Sequence, residues 1–134
     1  MTVRYRYDPA MQLLVVRAAA DTDEEALLDY ARRLAADGEV PAARDELVDL
    51  RAIDASRVSS GGLRRLAGVF EKADAGEPGR VAIVAASDLA FGLSRMYQAF
   101  RSESMSEICV FRELEEARRW LGLDQLPGLP EDVG

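Results

Sequence analysis

The chain has 134 residues, 49% of them hydrophobic, with 17 basic and 24 acidic side chains, a formal charge of −7, one cysteine and no histidine. That length suits one domain with its own hydrophobic core, and the acidic balance argues against nucleic acid or an anionic membrane surface as partner. Without histidine there is no Ser-His-Asp triad, no Cys-His pair and no histidine-ligated zinc, and one cysteine builds neither a thiolate cage nor an internal disulfide.

The opening Val3, Tyr5 and Tyr7 alternate with Arg4 and Arg6, the period of a strand with one wet face, and Asp8-Pro9 breaks it. The segment lacks the apolar stretch of a secretory signal, and no apolar run approaches the roughly 20 residues of a membrane-spanning helix. A soluble, cytoplasmic protein is expected. Leu13-Leu14-Val15-Val16 is continuously apolar, as expected of a strand covered on both faces. Thr22 and Glu25 match a capping box for a first helix carrying Leu27, Tyr30, Ala31 and Leu34, with its stop at Asp37-Gly38.

Leu47-Val48-Asp49-Leu50 reads as the next buried strand, and Asp49 is expected at its end against a backbone donor rather than as a catalytic acid. After a polar loop, Val58-Ser59-Ser60-Gly61-Gly62 opens a second helix with Leu63, Leu66, Ala67 and Phe70 on one side. That helix is expected to end around Ala75-Gly76, with Glu77-Pro78-Gly79 as the turn into a strand at Val81-Ala82-Ile83-Val84-Ala85. A third helix starts at Ser87-Asp88 and presents Leu89, Leu93, Met96, Tyr97 and Phe100. Ile108 to Phe111 forms the last strand, with Cys109 as a small core side chain in a reducing compartment. A fourth helix carries Leu114, Ala117, Trp120 and Leu121.

Strands and helices therefore alternate after an initial hairpin. The predicted fold is α/β: one domain over 1–121, a mostly parallel five-stranded sheet with an antiparallel first strand, and four helices. Residues 122–134 form an extended tail whose Leu123, Leu126 and Leu129 suggest a homodimer.

The chemistry concentrates at the start of the second helix. The first-turn N–H groups of a helix lack intrahelical partners, so Ser59 and Ser60 read first as a structural cap, worth about 1 kcal/mol, and alternatively as a phosphorylatable switch. Neither a Walker spacing nor a dinucleotide fingerprint accompanies the glycines. In an open α/β sheet ligands gather beyond the strand carboxyl ends, where Arg51, Asp54, Ser59, Ser60, Ser87 and Asp88 are expected. No pair among them has a spacing that demands acid–base work, so no enzyme, metal or cofactor is expected. Phe91, Met96, Tyr97 and Phe100 read as core and groove lining that would admit a small apolar or lipid-like ligand. A closed apolar cavity with convergent polar groups would favour a ligand or substrate site, and a flat exposed face on the second helix would favour docking.

The element order, with Ser-Ser-Gly opening the second helix, resembles the STAS domain, the sulfate-transporter and anti-sigma-antagonist fold, from about Val3 to Leu121. Phe91-Gly92-Leu93-Ser94-Arg95-Met96-Tyr97 and Ala117-Arg118-Arg119-Trp120-Leu121 are similar to the bacterial branch called SpoIIAA-like or STAS/SEC14-like. The resemblance implies a non-enzymatic regulatory or protein-interaction module that docks through Ser59, Ser60, Gly61, Gly62 and Leu63, with Ser60 as the phosphorylated serine. Its partner would be a kinase or anti-sigma-like protein, and the SEC14-like label implies a lipid or apolar ligand. Such antagonists carry an Asp before the paired serines; here the position holds Val58, with Asp54 upstream.

Overall fold

A computed structural model of the chain describes residues 2–73, 79–103 and 106–130. The elements are β1 (Val3–Asp8), β2 (Leu13–Ala18), α1 (Glu24–Ala36), β3 (Asp45–Asp49), α2 (Ser60–Ala73), β4 (Arg80–Val84), α3 (Asp88–Phe100), β5 (Glu107–Phe111) and α4 (Leu114–Leu121). The sheet runs in the order β1-β2-β3-β4-β5, with β1 antiparallel to β2 and the remaining pairs parallel. The α/β fold with a five-stranded mixed sheet and four helices agrees with the sequence pattern.

Because each parallel crossover steps one strand further in the same direction with the same hand, the crossover helices fall on one face. Leu14, Val16 and Ala18 of β2 meet Tyr30 and Leu34 of α1, while Ile83 and Ile108 meet Leu63, Leu66, Ala67 and Tyr97 of α2 and α3. The opposite pleat positions, Leu13, Val15, Leu47, Ala82 and Val84, are covered by Leu114, Ala117 and Leu121 of α4. Leu13, Leu14, Val15, Val16, Leu47 and Val84 are at most 1% exposed. Two-sided burial is the reason these strands lack alternation.

Helix starts differ from expectation in one place. The cap of α1 is Asp23, whose carboxylate accepts from the Ala26 N–H at 2.9 Å. Thr22 is fully buried instead, and its hydroxyl donates to the Thr2 carbonyl at 3.2 Å, tying the helix entry to the edge strand. The expected end of the second helix at Ala75-Gly76, and Glu77-Pro78 of its turn, lie outside the described residues. Among the described residues no helix is long and apolar enough to cross a membrane.

The tail folds back. Gly122 takes a left-handed φ of 73°, donates to the Arg119 carbonyl at 3.1 Å, and so ends α4. Leu123 and Leu129 then pack on the α4 side of the sheet, Pro127 and Pro130 are buried, and the Gly128 and Pro130 carbonyls accept from Arg6 and Arg17. Among the described residues of the tail, the apolar surface behind the homodimer expectation is thereby reduced to Leu126, 45% exposed. A chain ending at Gly122 is expected to lose about 2 kcal/mol in urea unfolding, the value of two half-buried leucines. An unchanged midpoint would mean that the tail does not pack.

Candidate functional site

The connection from β3 to α2 leaves the carboxyl edge of the sheet and is built from polar caps. Asp54 accepts from the Ser56 N–H at 3.1 Å and from its hydroxyl at 2.7 Å, capping a 3₁₀ turn over Ala55–Arg57. Ser59 then caps α2: its Oγ accepts from the Gly62 N–H at 3.1 Å, and its carbonyl accepts from the Leu63 N–H at 3.1 Å. Val58 before the cap and Leu63 inside the first turn enter the same core cluster, a hydrophobic staple. This packing explains an apolar residue before the paired serines, and Asp54 is occupied with its own turn.

In a capping box the residue three after the cap is Glu or Gln, whose side chain returns to the cap's N–H. Here that residue is Gly62, and the carboxylate comes from another helix. Glu24, the first residue of α1, accepts from the Ser59 N–H through Oε1, and its Oε2 lies 3.1 Å from Arg65 Nη2. Hydrogen bonds from Ser59 hold the Glu24 carboxyl below its ordinary 4.5, with Arg65 adding to the effect. A Cβ at Gly62 would fall 2.7 Å from Glu24 Oε1 and 2.8 Å from its Cγ, whereas at Gly61 the nearest atom is Ser59 Oγ at 3.9 Å. The partner 35 residues away has no local sequence signal. The second glycine marks the space that it needs.

Ser59, Ser60 and Gly61 are exposed, while Gly62 is covered. Leu63 is 7% exposed and packs with Leu28, Leu66 and Ile83, so it belongs to the core rather than to a docking face. The other polar residues at this edge are engaged locally. Asp49 is 2% exposed and accepts from the Arg51 N–H at 3.1 Å, Arg51 Nε at 2.9 Å and Arg51 Nη2 at 3.1 Å, with Arg17 Nε 4.0 Å away. Ser87 caps α3 by accepting from the Ala90 N–H, and Asp88 pairs with Arg112 at 2.8 Å. Among the described residues no three His, Cys, Asp or Glu side chains gather as for a metal.

The four residues expected to line an apolar groove on α3 do not converge. Phe91 lies under the Arg112 guanidinium at 4.3 Å, Phe100 under that of Arg64 at 4.5 Å, and Met96 is 38% exposed. Tyr97 turns inward with Ala90, Leu93 and Ser94, the positions that face the sheet. Leu89, expected on the buried side, is 53% exposed, because the inward stripe is rotated toward the smaller residues.

Those smaller residues leave space. A cavity of about 100 Å³ lies between the sheet and α1 to α3, walled by residues such as Leu27, Val48, Leu66, Ile83 and Leu93. At the end where β3 begins, Glu46 and Tyr97 line it together with Phe70 and Val81, and the same four residues wall a neighbouring space of about 50 Å³ with Arg44, Arg101 and Ser106. Arg44 Nη2 is 2.8 Å from Glu46 Oε1, and Arg101, only 5% exposed, donates through Nη1 to the Tyr97 hydroxyl at 3.0 Å. Burial first, then the Glu46 charge, pushes the Tyr30 phenol well above its ordinary value, so it stays protonated. Glu46 and Arg101 stand in no local motif of the sequence. The available signal was Ser94, a polar residue in the middle of an otherwise apolar stripe.

No protein-family model matches this chain, and no curated protein matches its sequence.

Gly61→Ala is expected to stabilise the protein by roughly 0.5–1 kcal/mol through helix propensity, whereas Gly62→Ala is expected to destabilise it by displacing Glu24. If the displacement is the cause, Gly62→Ala costs far less in a Glu24→Ala background, and additive effects in the double-mutant cycle would refute the interhelical box. The Glu24 contribution is complete above pH 4.5 and lost as pH falls through the lowered folded value, so Glu24→Gln should flatten that part of the acid limb of stability. Thermal unfolding from pH 7 to pH 3 checks it.

Proposed function

We propose that this protein is a non-enzymatic regulatory or protein-interaction module of the STAS type, docking through the first turn of α2. The supporting observation is the exposed Ser60 at the first helical position, beside exposed Gly61 and the exposed guanidiniums of Arg64 and Arg65. Ser59 is committed to capping and Leu63 to the core, so the docking surface consists of Ser60, Gly61 and the two arginines.

The interhelical box supplies a way to switch that surface. A phosphate on Ser60 would bring about −1.5 to −2 charges to a helix end that already holds the Glu24 carboxylate. Both anions compete for the same N–H groups and for Arg65, so the phosphate displaces Glu24 and loosens the α1–α2 corner. A partner that reads the unmodified turn then loses part of its contact surface.

The test is capture from an extract of the native cell, with the bound proteins identified by mass spectrometry. Wild type and Met96→Asp are expected to retain the same protein, and Ser60→Asp and Arg64→Glu to lose it. Phosphate on Ser60 in protein isolated from that cell is also expected. Capture indifferent to Ser60 and Arg64 would end the docking proposal.

A further inference from the structure

The outward face of α3 carries apolar residues where a solvated helix carries polar ones. Among the described residues three large hydrophobic side chains are exposed, and two of them, Leu89 and Met96, stand on this helix. Gly92 lies between them, exposed, with nothing within 4 Å of where a Cβ would sit. Glycine inside a helix is destabilising relative to alanine, and no contact within the described chain calls for it at this position. Its missing side chain leaves room for another helix to approach closely from outside.

At about 100° per residue, Leu89 and Met96 fall on one flank of Gly92, and Asp88 and Arg95 fall on the other. All four are exposed. The Asp88 side chain, 97% exposed, engages Arg112 through Oδ1 and keeps Oδ2 for a second guanidinium. Leu89 and Asp88 precede the glycine by three and four residues, and Arg95 and Met96 follow it by three and four. Such a pattern is complementary to its own reverse. In an antiparallel pair related by a two-fold axis at Gly92, each flank faces the same flank of the other copy. Leu89 then meets Met96 of the second copy and Asp88 meets its Arg95, about 4.5 to 6 Å along the helix from the axis, and each contact occurs twice. Charge sets the register. Sliding one helix by a turn would bring the two Arg95 side chains together, and a parallel pair would set the charged flank against the apolar one.

We propose that the outward face of α3 is a homodimer interface, crossed antiparallel at Gly92 by α3 of a second copy, with Leu89 against Met96 and Asp88 against Arg95. A second copy satisfies the apolar and the charged flank at once. One helix crossing lies at the small end of interface sizes, so the dimer is expected to build up with concentration.

Sedimentation velocity of the full chain from about 1 μM to 1 mM tests the assignment. Wild type is expected to pass from monomer to dimer across that range. Gly92→Leu fills open space on a helix surface and favours the helix, so it should stay folded and monomeric. Met96→Asp should be monomeric as well while still retaining the protein docked at Ser60, which separates the two proposals. Asp88→Arg and Arg95→Asp should each weaken self-association at least about tenfold through like-charge contacts, and an equimolar mixture of the two should dimerise again. Circular dichroism reports whether each variant is folded; should a charge-reversed variant unfold, Gly92→Leu and Met96→Asp carry the test. Wild type monomeric throughout, a dimer unaltered by folded Gly92→Leu or Met96→Asp, or a mixture of folded charge-reversed variants that stays monomeric would each overturn the assignment.

Discussion

Burial of the central strands on both faces is the constraint on which the rest of this molecule depends. Leu13 to Val16, Leu47 and Val84 are withdrawn almost completely from water, and a strand buried on both sides requires cover from two layers. Sequential right-handed crossovers put α1, α2 and α3 on one side, so the other side is left to α4 and the returning tail. The tail is therefore part of the domain's cover. Arg6 of β1 and Arg17 of β2 hold its carbonyls in place.

The same layering places α2 between two neighbours and gives its ends different chemistry. At the carboxyl edge of the sheet, α1 and α2 start close enough for Glu24 to complete a capping box whose serine belongs to the other helix. An unpaired helix start attracts any anion; this one already holds a carboxylate of its own chain. At the opposite end, where β3 begins, Arg101 at the close of α3 and Glu46 meet beside the cavity. The cavity wall includes Val58 and Leu63 near the exposed turn and Phe70 near the polar end.

Much of this organisation was readable in advance. Unbroken apolar runs announced covered strands, the alternation at Val3, Tyr5 and Tyr7 announced the edge strand, and Ser59 and Ser87 announced two helix starts. These features are local, set by residues within a few positions of one another. Local signals are ambiguous where two local solutions compete or where rotation of a helix decides. Thr22 and Asp23 both suit a cap, and contact with Thr2 buried the threonine. On α3 several apolar stripes were possible, and packing chose Ala90, Leu93, Ser94 and Tyr97 while leaving Leu89 and Met96 outside.

By itself, then, the sequence determined the element order, the α/β class with its antiparallel first strand, the serine cap of α2 and the exclusion of histidine chemistry, because each follows from periodicity, cap chemistry or composition. Tertiary structure alone decided that Glu24 fills the box at Ser59, that Leu63 is core, that the tail lies on its own sheet, and that Tyr97, Glu46 and Arg101 gather beside one cavity. Each of these joins residues from separate elements. Such contacts exist only after helix rotation and layer assignment, and those are set by the packing of the whole rather than by any stretch of neighbouring residues.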